Sequence, residues 1–260
     1  MISALSVQRK KELRALHAKK FRWRKGRFLV EGVKPVSEAL AADYPLETVF
    51  ITPTLLSEAP QLSAALGRFT GELLELRSAD IRQISTLKNP EGIVAVAKMP
   101  EQTDFSLARD RVPAVYLHRV NDPGNLGTVL RTALWFGIRH VILSPGSVDV
   151  YGPKVVRSSM GALFQLLVAA DIDADQLMAA VQAANRMVIC ADMSGTDLSN
   201  VSIDRQWVLV LGSESHGVPQ ALLDQADRTV AIGRFGVGES LNLGVSSGII
   251  MHDLMNKQKG

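Results

Sequence analysis

Short apolar runs alternate along the chain with longer stretches whose apolar residues recur every three or four positions. In the first hundred residues, four runs predict strands: RFLVE, LETVFI, GELLELR and GIVAVAK. Four stretches predict helices: VQRKKELRALHAKK, VKPVSEALAA, SEAPQLSAALGRF and ADIRQISTL. A polar, proline-flanked stretch, MPEQTDFSLARDRVP, then interrupts the alternation and is predicted to be a linker.

The alternation resumes after this stretch. The predicted strands are AVYLHRV, HVILS, LLVAA, MVICA, WVLVLG and RTVAI, and the predicted final helix is SLNLGVSSGIIMHDLMNK. Short apolar runs separated by helices indicate a parallel sheet covered on both faces. We therefore predict two α/β domains, residues 1–99 and 113–260, joined by a linker over residues 100–112.

Composition narrows the class of protein. The chain has 260 residues, of which 47% are hydrophobic and 21% charged, enough for large cores and too few charges for general disorder. The single cysteine, Cys190, lies inside MVICA and is predicted to be a small core residue, which excludes disulfides and cysteine-rich zinc sites. No stretch reads as a signal peptide or membrane span, so we expect a soluble, cytoplasmic protein.

Positive charge is concentrated at the N-terminus. Between Met1 and Arg27 there are ten Lys or Arg residues and one acidic residue, Glu12, with Phe21 and Trp23 among them. Cations neutralise phosphates and aromatic faces stack on unpaired bases, so this segment predicts contact with nucleic acid. The alternative is a solvated basic helix with Trp23 packed into the domain. The candidate RNA-binding residues are Arg22, Arg24, Lys25 and Arg27.

Three stretches of the second domain each follow an apolar strand with a glycine-containing loop. Open α/β sheets bind ligands at the carboxyl ends of their strands, so the three loops could form one site. The first loop carries Asn125, Gly127 and Arg131; the second carries Gly212, Glu214 and Gly217; the third carries Ile232, Gly236, Ser240, Leu241 and Asn242. Each loop alone also has a structural explanation, such as helix capping by Asn125 or Glu214 or a surface salt bridge of Arg131.

The third loop has the spacing of a phosphate-binding P-loop from Gly233 to Gly238, but the next residue is Glu239 where that loop requires Lys. An anion at this position would repel a triphosphate, which argues against a nucleotide triphosphatase. The glycines instead let backbone groups approach a flat, weakly charged ligand such as an adenine nucleoside.

Taken together and in this order, the three loops resemble the motifs of the SPOUT superfamily, and within it the SpoU/TrmH-like RNA ribose 2′-O-methyltransferases. The resemblance covers residues 113–260 and includes RSSMGALF between the first and second motifs. The first domain resembles the L30e-like RNA-binding domain often fused to these enzymes, in KGRFLVEGVKPVSEAL and STLKNPEGIVAV. The pairing is most similar to enzymes that act on large ribosomal RNA, with tRNA-modifying relatives as the alternative.

The resemblance implies a fold and a cofactor that periodicity does not. Its members have a deep trefoil knot in the second domain, bind S-adenosylmethionine through backbone groups, need no metal and are homodimers. Carried over by position, the cofactor-binding residues are Gly212, Gly217, Ile232, Gly236 and Leu241.

The resemblance assigns activation of the ribose hydroxyl to Arg131, with Asn125, Glu214, Ser240 and Asn242 orienting the groups around it. A guanidinium is almost always protonated and has no acceptor, so two interpretations of Arg131 stay open. Either it loses its proton in an unusual pocket, or it stays cationic, binds the adjacent phosphate and stabilises the developing alkoxide.

The chain departs from the family pattern at three places. Gly233 replaces a proline after Ile232, His118–Arg119 stand where relatives often have Asp-Gly, and Ser246 and Ser247 replace small apolar residues in the last helix. None of these changes touches the core of the three motifs. A non-catalytic RNA-binding protein of the same fold would show damage to Arg131, Asn125 or Ser-Leu-Asn, and all are intact.

Overall fold

The computed structural model describes residues 5–101, 105–108, 112–213 and 215–259. They form two compact units, each with its own β-sheet, as the predicted α/β class requires. The first unit comprises the chain up to residue 101 together with Asp149–Gln165, and the second comprises the remainder. The predicted boundaries at residues 99 and 113 stay a prediction.

The described residues form ten strands. They are β1 (Arg27–Glu31), β2 (Leu46–Ile51), β3 (Glu72–Glu75), β4 (Ile93–Lys98), β5 (Ala114–Leu117), β6 (His140–Leu143), β7 (Leu167–Ala169), β8 (Met187–Asp197), β9 (Trp207–Leu211) and β10 (Arg228–Ala231).

The same residues form eleven α-helices and two 3₁₀ turns. The helices are α1 (Val7–Ala15), α2 (Lys19–Lys25), α3 (Val33–Ala41), α4 (Pro53–Glu58), α5 (Pro60–Leu66), α6 (Ser78–Ile84), α7 (Pro123–Trp135), α8 (Pro153–Ser158), α9 (Ala174–Ala183), α10 (Gln220–Leu223) and α11 (Leu243–Lys259). The 3₁₀ turns are Ala162–Gln165 and Leu198–Asn200.

The first unit is built on a four-stranded sheet in the order β1-β4-β2-β3. Strand β4 is antiparallel to both neighbours, whereas β2 and β3 are parallel. The helix predicted over SEAPQLSAALGRF is replaced by α4 and α5, because the residue before Pro60 is disfavoured in helical conformation. The helix predicted over VQRKKELRALHAKK is divided into α1 and α2, and α2 ends at Gly26 with a left-handed C-cap.

The segment Asp149–Gln165 belongs to the first unit although it follows two strands of the second. Tyr151 packs on Phe28 with ring centroids 4.9 Å apart, and Phe164 packs on Tyr44 at 5.0 Å. Such ring pairs add stability beyond their buried area. A division of the chain by sequence position alone would assign this segment to the second domain.

The second unit is built on a six-stranded sheet in the order β10-β8-β9-β5-β6-β7, in which every neighbouring pair is parallel. The parallel sheet predicted from the apolar runs is confirmed. Strands β5 and β9 are buried along their whole length, as expected of central strands covered on both faces. Cys190 is fully buried in this core, and burial raises the pKa of its thiol to about 12.

Neither a membrane-spanning helix nor a metal-binding cluster is found in the part of the chain that the structure describes. The longest helix of that part, α11, carries charged and polar residues along its length. The carboxyl ends of β5, β8, β9 and β10 carry the loops described next.

Candidate active site

The first predicted loop joins β5 to α7. Asp122 caps the helix, accepting a hydrogen bond from the backbone N–H of Asn125 at 2.7 Å, and Pro123 occupies the first turn. Asn125 therefore lies within the first turn of α7 and not at its cap. Arg131, further along α7, is exposed to solvent.

The second predicted loop is a tight turn after β9. A Cβ atom at Gly212 would lie 1.9 Å from the carbonyl carbon of Gly217, so only glycine permits this contact. Gly217 has φ of +66° and donates its N–H to the Ser213 carbonyl at 2.9 Å. Glu214 lies outside the described residues.

The third predicted loop ends at Asn242, which joins two helices. Its side-chain oxygen accepts hydrogen bonds from the N–H groups of Gly244 at 2.9 Å and Val245 at 3.3 Å, at the start of α11. Its side-chain amide donates to Oδ1 of Asn125 at 2.9 Å, at the start of α7. The first and third motifs, 117 residues apart, thus meet through one hydrogen bond.

Helices α7 and α11 pack side by side behind this contact. A Cβ atom at Gly244 would lie 2.8 Å from Cγ2 of Thr128, whereas one at Gly248 would lie 3.7 Å from Cγ2 of Thr132. Both threonine hydroxyls bond back to their own helix, which leaves the methyl groups facing α11. The close approach at Gly244 holds Asn242 opposite Asn125.

A cleft of about 740 Å³ opens beside the third loop. Four predicted site residues line it: Ile232, Gly236, Ser240 and Leu241. Its volume is in the range of pockets that hold small-molecule ligands. The exposed Leu241 and the half-buried Ile232 present both backbone and apolar groups to it.

The opposite wall of the cleft comes from the end of β8, which sequence reasoning missed. The strand was predicted over MVICA but continues to Asp197, where Thr196 and Asp197 pair with Val230 and Ala231 of β10 after a shift of register. Asp192, Met193 and Asp197 line the cleft from there. The sequence ADMSGTD does carry the same signal as the other loops, an apolar strand followed by polar residues and glycine.

Acidic groups dominate the cleft. Among the described lining residues, Asp192, Asp197 and Glu239 are acidic and Arg234 is the one cation; its guanidinium donates to the Gly238 carbonyl at 2.9 Å. The pKa of Asp197 is lowered by hydrogen bonds from the hydroxyl and backbone N–H of Ser199. The cleft therefore favours a cationic ligand over a phosphate, in agreement with the argument against a nucleotide triphosphatase.

The departure from the family pattern at Gly233 has a physical explanation. A Cβ atom there would lie 2.6 Å from Oδ2 of Asp197, so the carboxylate occupies the space that a side chain would need. The second loop also lies against this wall, because a Cβ atom at Gly217 would be 3.9 Å from Oδ2 of Asp192. Among the described residues that line the cleft, neither Asn125 nor Arg131 is found.

The four candidate RNA-binding residues of the first unit differ in position. Arg22 is only 4% exposed and donates from Nε to Asp149 at 2.9 Å and from Nη1 to the carbonyls of Leu16 and His17. A side chain used in this way inside the fold does not face RNA, so this expectation is corrected.

The other three candidates are exposed. Arg27 forms an ion pair with Glu47, Arg24 lies over the ring of Phe21 at 4.7 Å, and Lys25 extends into solvent. Arg24 and Lys25 are the cations of this set that remain available to a polyanion.

Two known families match this chain over separate ranges. The SpoU rRNA methylase family matches residues 113–252, and the MRM3-like substrate binding domain matches residues 8–95. The chain belongs to the SpoU rRNA methylase family. The resemblance inferred from the three motifs is confirmed.

Individual relatives span almost the whole chain. The 23S rRNA (guanosine(2553)-2′-O)-methyltransferase RlmP of Bacillus subtilis is 30% identical over 257 residues, 97% of this chain and 98% of that protein. The 23S rRNA (uridine(2479)-2′-O)-methyltransferase of Streptomyces viridochromogenes is 30% identical over 253 residues, 91% of this chain and 85% of that protein.

A solved structure has a closely similar fold. The SpoU methyltransferase AviRb from Streptomyces viridochromogenes, in complex with AdoMet, superposes with a TM-score of 0.88 at 26% identity. The match covers 98% of this chain and 99% of that one.

Proposed function

We propose that this protein transfers a methyl group from S-adenosylmethionine to a ribose 2′-hydroxyl of 23S-type ribosomal RNA. The observation that carries the proposal is the Asn242–Asn125 hydrogen bond, which joins the first and third motifs beside the cleft. Two relatives named for 2′-O-methylation of 23S rRNA support the substrate class, and they modify a guanosine and a uridine. The target base is therefore part of what the experiments below must find.

The cleft fits S-adenosylmethionine in size and in charge. The cofactor carries a sulfonium and an ammonium group, and Asp192, Asp197 and Glu239 supply opposite charge. Ile232, Gly236 and Leu241 would hold the adenosyl part through backbone groups, with Gly212 and Gly217 shaping the adjoining turn.

The bound cofactor supplies an activated methyl group, so the chain needs to place the acceptor hydroxyl and stabilise the charge that develops on it. Asn125 and Asn242 fix one another, and the backbone groups around them are set by the α11 cap. Such mutual fixation preorganises polar groups before the substrate arrives. Ser240 and Glu214 would add hydrogen bonds to this arrangement.

Arg131 acts in this proposal as a cation. Its side chain is exposed and can meet an RNA phosphate from solution. It binds the phosphate next to the target ribose and stabilises the developing alkoxide.

The first unit contributes RNA binding. Arg24, Lys25 and Phe21 present two cations and an aromatic ring on α2 and at its end, which suits unpaired RNA. Residues 1–99 serve as the substrate-binding domain and residues 113–260 as the catalytic domain.

We further propose a cytoplasmic homodimer whose second domain contains a trefoil knot. The dimer is supported by large apolar side chains exposed on the helix pair α7 and α11: Trp135, Val245 and Ile249. Sedimentation of an Ile249→Asp variant should show monomers where the unaltered protein shows dimers. Monomers of the unaltered protein at micromolar concentration would contradict the proposal.

Purified protein tests the main proposal directly. Calorimetry should show binding of S-adenosylmethionine and none of ATP. Methyl from labelled cofactor should appear on an unmodified transcript of 23S-type rRNA and be absent from a transcript with a 2′-deoxy target. Methyl transfer only to tRNA would show that the substrate is tRNA instead of rRNA. Cofactor binding without transfer to any RNA would favour the non-catalytic alternative.

A further inference from the structure

Arg119, at the carboxyl end of the central strand β5, has a backbone conformation unusual for a residue with a side chain. Its φ is +51°, in the left-handed region that L-residues other than glycine disfavour. Its N–H donates to Oγ of Ser144 at 2.8 Å, and Ser144 is buried directly after β6. The fold thus holds Arg119 in a strained state, and such residues collect at functional sites.

The Arg119 side chain is exposed to solvent. Gly146 lies beneath it, with φ of +81°, and a Cβ atom there would be 3.8 Å from Cγ and 3.9 Å from Nε of Arg119. No described carboxylate forms an ion pair with its guanidinium. The charge is therefore free to meet an anion from solution.

Arg119 is close along the chain to the first motif of the proposed active site. It lies in the loop between β5 and α7, three residues before the helix cap Asp122 and six before Asn125. The preceding residue, His118, donates its N–H to the carbonyl of Leu211 at 2.8 Å, immediately before Gly212. Arg119 is thus close to the first motif along the chain, and its neighbour His118 contacts the strand end that precedes the second motif.

The neighbouring His118 does not add a second cation. Its pKa is lowered by burial and by the charge of Arg119. Its Nδ1 atom is buried and has no hydrogen-bond partner in the described part of the chain. The positive charge at this end of β5 therefore belongs to Arg119.

We propose that Arg119 binds a backbone phosphate of the RNA beside the target ribose and so positions the substrate on the site. This inference rests on the proposed methyl transfer to RNA. A planar guanidinium can donate two parallel hydrogen bonds to phosphate oxygens, which fixes orientation as well as charge. The strain at Arg119 is then the cost of presenting that group at the mouth of the site.

The test uses the full-length variant Arg119→Gly, which removes the cation and also relieves the backbone strain. Its melting temperature should equal or exceed that of the unaltered protein. Its affinity for an unmodified transcript of 23S-type rRNA should fall about tenfold, the size expected for one charged hydrogen-bonded contact. The slope of log affinity against log salt should decrease by about 1, as expected for one lost phosphate contact.

Two variants serve as matched controls. Arg119→Lys keeps the charge without the planar fork, so the salt slope should be retained while KM for RNA rises. Arg139→Ala removes an exposed arginine immediately before β6, at the amino end of that strand, and should leave RNA affinity unchanged. Calorimetry should give the same affinity for S-adenosylmethionine in all variants.

The possible results separate this inference from the proposed function. RNA affinity, salt slope and KM unchanged in Arg119→Gly, with methyl transfer intact in the unaltered protein, would overturn the inference alone. Weaker binding of S-adenosylmethionine would assign Arg119 to the cofactor instead, and a lower melting temperature would assign it to folding. If the unaltered protein methylated no RNA, the proposed function itself would be contradicted.

Discussion

The basic segment of the first unit and helix α7 of the second unit use arginine in opposite ways. Arg22 is buried, and its guanidinium is occupied by Asp149 and by two backbone carbonyls. Arg131 is exposed on α7, close along the helix to the Asn125–Asn242 contact. A count of positive charges treats these two residues alike, but only one remains available to a substrate.

The largest effect is expected from substitution of Arg131. In the variant Arg131→Ala, methyl transfer should fall about 10²- to 10⁴-fold, because a group that stabilises developing charge is lost. The affinity for S-adenosylmethionine and the melting temperature should not change, since Arg131 is exposed and does not line the described part of the cleft. Single-turnover transfer of labelled methyl measures the reaction, and calorimetry measures the affinity for S-adenosylmethionine and the melting temperature. Unaltered turnover would contradict the role given to Arg131.

Arg22 should show the reverse behaviour. Arg22→Ala leaves the Asp149 carboxylate buried without its cation, which should lower the free energy of unfolding by about 3–5 kcal/mol. Urea denaturation measures this change, and the double variant Arg22→Met, Asp149→Leu should recover much of it. If Arg22→Ala kept full stability but lost RNA affinity, Arg22 would be an RNA-binding residue after all.

A smaller effect is expected at Asn242, which has both a structural and a positioning role. Asn242→Ser keeps an oxygen that can cap α11 but is too short to reach Asn125, whereas Asn242→Ala loses both interactions. The alanine variant should lose about 1 kcal/mol more stability than the serine variant. Both should lose methyl transfer to a similar extent. If the serine variant retained full activity, the bond to Asn125 would have no part in the reaction.

Effects on stability alone are expected where α7 and α11 pack. Gly244→Ala places a methyl group 2.8 Å from Cγ2 of Thr128 and should cost about 1–3 kcal/mol by overpacking. Gly248→Ala meets Thr132 at an ordinary 3.7 Å and should gain up to about 1 kcal/mol from helix propensity. Opposite changes in melting temperature for the two variants would support this packing of α7 on α11. Equal losses of stability in both variants would contradict it.

Much of the second unit could be predicted because most of its strands are short, largely apolar and bounded by loops. The parallel sheet and the three glycine loops follow from that pattern. The extension of β8 to Asp197 could not be predicted, since residues 192–197 are mostly polar or glycine and pair with β10 only at Thr196 and Asp197. Pairing of this kind depends on distant sequence, which local periodicity does not record.

The first unit was less predictable for the same physical reason. The burial of Arg22 depends on Asp149, which lies 127 residues away in the sequence. The strain at Arg119 likewise depends on Ser144, which fixes its N–H from another strand end. Residue types predicted the chemistry of the site, but long-range contacts decided which of those residues are free to perform it.

The most direct test of the account is a map of 2′-O-methyl positions in total RNA from cells with the gene, without it, and with the Arg131→Ala variant in its place. One position in 23S-type rRNA should lose its methyl group when the gene is removed, and the variant should not restore it. An unchanged map, or restoration by the variant, would contradict the account.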